Sequence, residues 1–122
     1  MAISKIAARL GSEGEEQVVR YLVGIGVRIL DRNWRIRDGE IDVVAESVDR
    51  EILFVEVKTR SGVAFGDPLE SITREKSLRL QRLALAWLAT HQRLGHPYRI
   101  DAAGVMLSRS GEWSIDYRER VI

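Results

Sequence analysis

The chain contains no cysteine, so disulfides, thiolate zinc sites and cysteine nucleophiles are excluded, and the redox compartment stays open. It also lacks a long apolar run, because the longest, over 83–89, is far short of the roughly 20 residues that a membrane-spanning helix needs. The segment 1–10 has neither a long apolar core nor a cleavage site, which indicates no signal peptide. A cytoplasmic protein with no membrane association is therefore the default expectation.

Neither sign of charge dominates the composition. Lysine and arginine number 19 against 18 acidic residues, which gives a net charge of +1. This balance identifies no partner, because a nucleic-acid-binding protein of this composition would need its basic residues clustered. The chain has 122 residues and no repeat, low-complexity tract or linker, which favours a single domain over 1–122.

Apolar spacing and turn residues predict two helices and five strands. Gly24 and Gly26 end the first helix, Gly11 or Gly14 could interrupt it, and Thr73 is the expected N-cap of the second. The order α-β-β-β-α-β-β predicts an α/β (α+β) fold with a mixed sheet flanked by helices. The predicted elements are a helix over 3–25, strands over 27–36, 40–46 and 52–59, a loop over 60–69, a helix over 73–92, and strands over 98–107 and 113–117.

Charged residues lie inside two predicted strands, where burial is unfavourable unless they are paired or coordinated. Asp42 lies in the second strand, and Glu56 and Lys58 share one face of the third. If the turn pairs Ser47 with Glu51, Asp42 lies opposite Glu56 with Cβ atoms about 5 Å apart. Carboxylates so placed repel each other, and Mg²⁺ between them would be a suitable cation because it prefers oxygen ligands. Lys58 could then neutralise a scissile phosphate, or orient or deprotonate the attacking water.

Each helix adds one charge to its apolar stripe. Glu15 lies at helical spacing from Val18 and Leu22, and Lys76 lies at helical spacing from Leu80. Both side chains should face the sheet and could form one polar pocket with the strand residues. A solvated or salt-bridged role is the competing interpretation of each residue alone, and a Glu–Lys pair on an exposed sheet face is the competing interpretation of the cluster.

The spacing Asp-(x13)-Glu-x-Lys on consecutive strands resembles the active-site core of PD-(D/E)XK nucleases, which have a restriction-endonuclease-like fold. The chain more closely resembles the uncharacterised bacterial YraN-like family. The proline of the superfamily's name is absent, since Ile41 precedes Asp42, but that position varies in the superfamily. The matching stretches span about residues 11 to 101 and are Gly11-x-x-Gly14-Glu15, Arg32-Asn33-Trp34-Arg35, Gly39-Glu40-Ile41-Asp42, Phe54-Val55-Glu56-Val57-Lys58-Thr59-Arg60, Phe65-Gly66-x-Pro68, Lys76 and Ile100-Asp101.

The resemblance implies a restriction-endonuclease-like core and a set of site residues. By analogy with this superfamily, and with archaeal Holliday junction resolvases in particular, Asp42 and Glu56 would bind Mg²⁺ or Mn²⁺. The Val57 carbonyl could add a ligand. Lys58 would be the catalytic lysine, and Glu15 would match the acidic residue of the first helix. Turnover does not follow from the fold alone.

Arginines near the proposed pocket are candidates for phosphate contacts, which give affinity without sequence specificity. Solubility is the alternative role of each. Glu40 could support the site or be a solvated edge residue, Asp101 is structural or supports the site, and Trp34 could stack on an unpaired base or anchor its strand. The nucleic-acid-binding candidates are Arg32, Arg35, Arg37, Arg60, Arg74 and Arg79, together with Lys76.

These observations favour a metal-dependent nuclease that hydrolyses DNA phosphodiester bonds, with branched and single-stranded DNA among the forms it could cut. One alternative is a non-catalytic nucleic-acid-binding module that retains the nuclease fold. Another is an interaction protein whose charged cluster is a cross-strand salt bridge. Cleavage of two strands would favour a symmetric homodimer, although no heptad and no large exposed apolar stripe identifies an interface.

Overall fold

The chain folds into a five-stranded sheet with one helix on each face. The computed structural model describes residues 2–61 and 72–122, so the Phe65-Gly66-x-Pro68 stretch and most of the predicted loop lie outside the described residues. Within these ranges, neither helix has the length and apolar character needed to span a bilayer. The observed order confirms the predicted one: α1 (Ala2–Gly24), β1 (Arg28–Ile36), β2 (Gly39–Glu46), β3 (Ile52–Ser61), α2 (Arg74–Thr90), β4 (Tyr98–Leu107) and β5 (Trp113–Arg118).

Some boundaries differ from the predicted ones. Helix α1 passes through Gly11 and Gly14 without interruption. Strand β3 continues to Ser61, beyond the predicted start of a loop, because it pairs with β4 along its whole length. Thr73 caps α2 as predicted, since its side chain accepts a hydrogen bond from the Lys76 N–H at 3.1 Å.

The strands lie side by side in chain order, β1-β2-β3-β4-β5. All neighbours are antiparallel except β3 and β4, which are parallel. Parallel neighbours need a crossover connection, and α2 lies in the chain between these two strands. The result is the mixed sheet that the sequence predicts.

Two apolar clusters hold the layers together, one on each face of the sheet. On one face, Leu83 and Trp87 of α2 pack with Val44 and Phe54. On the other face, Val18 and Leu22 of α1 belong to a cluster drawn mainly from β2, β3 and β4. Because both faces are covered, the central strands read as nearly continuous apolar runs in the sequence.

Helix α1 approaches β3 most closely at Gly14. A Cβ atom at this position would lie 2.1 Å from the Thr59 side-chain oxygen, which is far inside van der Waals contact. Glycine therefore permits an approach that a larger residue would prevent. The next residue along the helix, Glu15, is brought close to the sheet by this contact.

The sheet opens between its second and third strands. The last residue pair between β2 and β3 at this end is Val43–Val55. Pairing of β2 with β1 nevertheless continues to Gly39, and pairing of β3 with β4 continues to Ser61. We call the opening between 39–42 and 56–61 the fork.

A second buried acidic residue, Asp101 on β4, is held within a dense polar network. Its side chain is fully buried and accepts hydrogen bonds from Arg99 Nε at 3.0 Å, the Tyr117 hydroxyl at 2.5 Å and the Arg120 N–H at 3.0 Å. Burial raises the pKa of Tyr117 and the neighbouring Asp101 raises it further, so the phenol stays a donor. Arg99 and Arg120 also pair with Glu51, which connects the chain's last residues to the start of β3.

We expect Asp101→Ala to lower the free energy of unfolding by about 3–5 kcal/mol, because it leaves buried cationic and hydroxyl donors without their acceptor. Urea denaturation followed by circular dichroism would measure the loss. Asp116→Ala is the matched control: this carboxylate is 55% exposed and pairs with Arg118 at 2.6 Å. The control should change the free energy by no more than about 0.5 kcal/mol. Equal losses in the two variants would contradict the structural role of Asp101.

Candidate active site

Asp42 lies at the point where the fork begins. The Ser47 N–H donates to the Glu51 carbonyl at 2.9 Å, as the predicted turn requires. The register that follows, with Val43 opposite Val55, places Asp42 across the fork from Glu56. In place of a further strand-to-strand bond, the Val57 N–H donates to Asp42 Oδ2 at 2.8 Å.

Strict alternation of side chains between the two faces of the sheet does not extend to the start of β2. Ile41 packs in the same α2-side cluster as Val44, although strict alternation would place these residues on opposite faces. The departure from alternation coincides with the fork, where β2 leaves β3 after Val43 and pairs with β1 alone.

The surroundings of Asp42 disfavour its charge. The side chain is 9% exposed, and this burial raises the pKa of Asp42 to about 7. The hydrogen bond from Val57 opposes the shift. Negative charge on Glu56, Glu15 and Glu40 raises the pKa further. A cation placed among these carboxylates would relieve both the repulsion and the burial cost.

Glu15 reaches the same group of charges from α1. Burial raises the pKa of Glu15, while a hydrogen bond with the Asn33 side chain lowers it. Glu40 and Glu56 act on it as neighbouring negative charges. The structure therefore brings together the helix-one acid and the strand carboxylates, as the sequence predicts.

Two lysines meet at the mouth of the fork. Lys58 Nζ lies 3.9 Å from Glu56 Oε1, within one strand. Lys76, in the first turn of α2, lies near enough to Lys58 for the two positive charges to interact. Burial lowers the pKa of Lys76, and the neighbouring Lys58 lowers it further. Lys58 comes from β3 and Lys76 from α2, so folding of the crossover brings the two ammonium groups together.

The fork contains a surface pocket of about 310 Å³. Its lining combines carboxylates from β2 and β3 with two cationic residues, Lys58 and Arg79. We call it the fork pocket, and its lining is Gly39, Glu40, Asp42, Glu56, Val57, Lys58 and Arg79.

Two of the predicted phosphate-binding arginines have acidic partners. Arg32 pairs with Glu16 at 3.0 Å, and Arg35 pairs with Glu40 at 2.6 Å. Glu40 therefore lines the fork pocket while neutralising an arginine at its edge. Arg60 is exposed at the end of β3, beyond the fork pocket.

Two further residues have positions that bear on their predicted roles. Trp34 packs against the α2-side core, with its ring centroid 6.4 Å from that of His91, which supports the anchoring role. Asp101 does not join the fork carboxylates, and its hydrogen-bond network supports the structural interpretation.

Asn33 lies beside the candidate site but was not among the residues predicted for it. It has a φ of +52° and contacts Glu15 through its side chain. Asparagine is one of the few residues that tolerate this backbone region. Its position within the Arg32-Asn33-Trp34-Arg35 stretch was the available signal.

The donor set of the fork fits a hydrated divalent cation. In the described ranges 2–61 and 72–122, no group of three or more acidic or histidine side chains is arranged to hold a metal ion alone. Mg²⁺ usually binds through one or two carboxylates, with waters and substrate phosphate as its remaining ligands. Asp42 and Glu56, with the Val57 carbonyl beside them, match that requirement.

The fold and site define a mixed α/β protein with a carboxylate-lined opening in its sheet. The model of the uncharacterised protein family UPF0102 matches residues 14–105, so the chain belongs to this family. This confirms the predicted YraN-like resemblance, and placement in the PD-(D/E)XK superfamily is consistent with it.

Relatives cover most of the chain. A UPF0102 protein of Clavibacter michiganensis subsp. michiganensis is 45% identical over 107 residues, covering 88% of this chain and 90% of the relative. One of Beutenbergia cavernae is 44% identical, covering 88% and 91%. A solved structure of Pyrococcus furiosus SfsA in complex with Ca²⁺ gives a TM-score of 0.37 at 20% identity, covering 92% of this chain. The chain spans 63% of that protein's length, and a likeness of this degree supports no conclusion.

The raised pKa of Asp42 predicts a pH-dependent effect of Asp42→Asn on stability. Between the ordinary value of 3.8 and about 7, only the folded protein keeps the proton, so the wild type loses stability as pH rises through this window. Asparagine cannot ionise. In thermal melts with EDTA, the melting temperature of Asp42→Asn should therefore rise relative to that of the wild type between about pH 4 and about pH 7. Above about pH 7 the difference between the two melting temperatures should stay constant.

Asp116→Asn, on an exposed part of β5, is the control and should follow the wild-type profile. Parallel profiles for Asp42→Asn and the wild type would show that the fork does not hold Asp42 protonated.

Proposed function

We propose that the protein is a metal-dependent nuclease that hydrolyses DNA phosphodiester bonds. The observation that carries this proposal is the fork, where pairing of β2 with β3 stops and Asp42, Glu56 and Lys58 meet. Carboxylates that face each other across a break in a sheet destabilise the folded state unless a cation or another partner compensates their burial. Their arrangement suits a cation that binds phosphate.

Asp42 and Glu56 would hold Mg²⁺ or Mn²⁺, with the Val57 carbonyl as a further ligand. Such an ion lowers the pKa of bound water and neutralises charge that develops on the phosphate. The Val57 N–H fixes the orientation of Asp42 through its 2.8 Å bond. Lys58 lies 3.9 Å from Glu56, where its ammonium can hold the attacking water or a phosphate oxygen.

The start of α2 would receive the negatively charged backbone. Lys76 lies in the first turn of this helix, where the macrodipole favours anions, and Arg79 lines the fork pocket one turn later. Arg79 packs beside Gly39 at the start of β2, and Lys76 lies near Lys58 of β3. DNA would therefore cross the fork with its phosphate against these cations and next to the carboxylates.

A nucleic-acid-binding module without turnover is the second candidate function. The observation that favours it is the lack, within the described parts of the chain, of three side chains able to hold a metal without help. On this alternative, phosphate contacts from Lys58, Lys76 and Arg79 give salt-sensitive binding with no product. A homodimer that cuts both strands stays a prediction.

The proposal predicts that Glu56→Gln abolishes metal-dependent cleavage. The substitution keeps the size of the side chain but removes a charged ligand, and loss of one metal ligand should reduce the rate by about 100-fold or more. Single-stranded, duplex and four-way-junction DNA would be incubated with Mg²⁺, Mn²⁺ or EDTA, and products resolved on denaturing gels. Glu112→Gln, in the exposed turn before β5, is the control that should cut normally.

The wild type and Glu56→Gln also distinguish the two candidate functions. Thermal melts with and without Mn²⁺ should show stabilisation of the wild type that Glu56→Gln loses, because a ligand that binds the folded state stabilises it. Normal cleavage by Glu56→Gln would exclude the proposed mechanism. Salt-sensitive DNA binding without any metal-dependent product would instead favour the module without turnover.

A further inference from the structure

A second pocket opens beside the fork, between the first half of α1 and the end of β3. Its volume is about 230 Å³. Leu10 and Gly11 line it from the helix, and Thr59 and Arg60 line it from the strand. We call it the α1 pocket.

The α1 pocket adjoins the candidate active site, because Val57 and Lys58 line both pockets. Glu15 also lines the α1 pocket, and its charge acts on Asp42. The close contact at Gly14 fixes the distance between helix and strand that forms the pocket.

The chemistry of the lining has two parts. Ala7, Leu10 and Gly11 present an apolar wall. Lys58 and Arg60 line the pocket from β3, and the Lys58 ammonium lies toward the fork, 3.9 Å from Glu56 Oε1. A nucleotide has matching parts, because its phosphate is anionic and its base has an apolar face. Glu15 would repel a phosphate, which places the phosphate near the strand's cations and the base against α1.

We propose that the α1 pocket binds an unpaired nucleotide of the DNA, next to the phosphodiester in the fork. This rests on the proposed nuclease function and specifies its substrate as DNA with a single-stranded segment. A base within a duplex is stacked and paired, so it cannot enter a pocket between a helix and a strand without first leaving the double helix.

Gly11→Leu tests the proposal. A Cβ atom at Gly11 would meet no heavy atom of the described residues within 4 Å, so a side chain has room to fill the pocket. Leucine also forms helix more readily than glycine, so the fold should be retained. Gly24→Leu is the matched control, since it makes the same change in the same helix, also with open space around it. Thermal melts would confirm that both variants fold.

Binding would be measured by fluorescence anisotropy in EDTA, with labelled single-stranded oligothymidine and with its duplex. The wild type should bind the single strand more tightly, and Gly11→Leu should weaken that binding about tenfold, or about 1.4 kcal/mol. Gly24→Leu should bind as the wild type does. Arg60→Ala, at an exposed position, should weaken binding and reduce its salt dependence.

Two results would overturn the α1 pocket as a nucleotide site: unchanged binding by Gly11→Leu, or a duplex that binds the wild type as tightly as the single strand. If the wild type cuts duplex DNA and Gly11→Leu cuts it equally well, the pocket proposal fails while the nuclease stands. If Gly11→Leu loses single-strand binding but the wild type cuts nothing with any metal, the pocket stands and the nuclease fails.

Discussion

The hydrogen bond from the Val57 N–H to Asp42 Oδ2 is the interaction on which the rest of the site depends. A sheet that stops pairing in its middle leaves backbone groups without partners, and buried groups of this kind are costly. The Asp42 carboxylate satisfies one of them. One side chain therefore permits the opening between β2 and β3 and also lines it, which links the shape of the sheet to the charge of the pocket.

The opening is possible because each of its edges is held from outside. Strand β1 supports β2 as far as Gly39, and β4 supports β3 as far as Ser61. Helix packing on both faces keeps these pairs aligned. The site thus combines residues from two strands, β2 and β3, and from two helices, α1 and α2.

Much of this arrangement could be predicted from the sequence, for identifiable reasons. The short turn between Ser47 and Glu51 sets the register of β2 and β3, and parity then relates Glu56 to Lys58. Helical spacing placed Glu15 and Lys76 toward the sheet. These predictions rest on local periodicities, which a single sequence displays directly.

The remainder depends on contacts between distant parts of the chain. The alternation of polar and apolar residues does not predict the fork. The fork arises where β2 and β3 separate while β2 stays paired with β1 and β3 stays paired with β4. Pairing of Arg35 with Glu40 needs the β1–β2 register, and the surroundings of Asp101 need β5 and the chain's last residues. A buried carboxylate looks the same in sequence whether it binds a metal or accepts hydrogen bonds from three donor groups, as Asp101 does.

The parallel pairing of β3 with β4 has a consequence for how the chain reaches this structure. Ile52 pairs with Tyr98, a separation of 98 − 52 = 46 residues, whereas the hairpins of β1–β2, β2–β3 and β4–β5 are closed by short turns. Loop-closure entropy delays such long-range pairing relative to local hairpins. Until it forms, the apolar edge of β3 is open to strands of other chains, so refolding yield should fall as protein concentration rises. Strand β3, which carries Glu56 and Lys58, is therefore also the strand most open to intermolecular pairing when the protein refolds at high concentration.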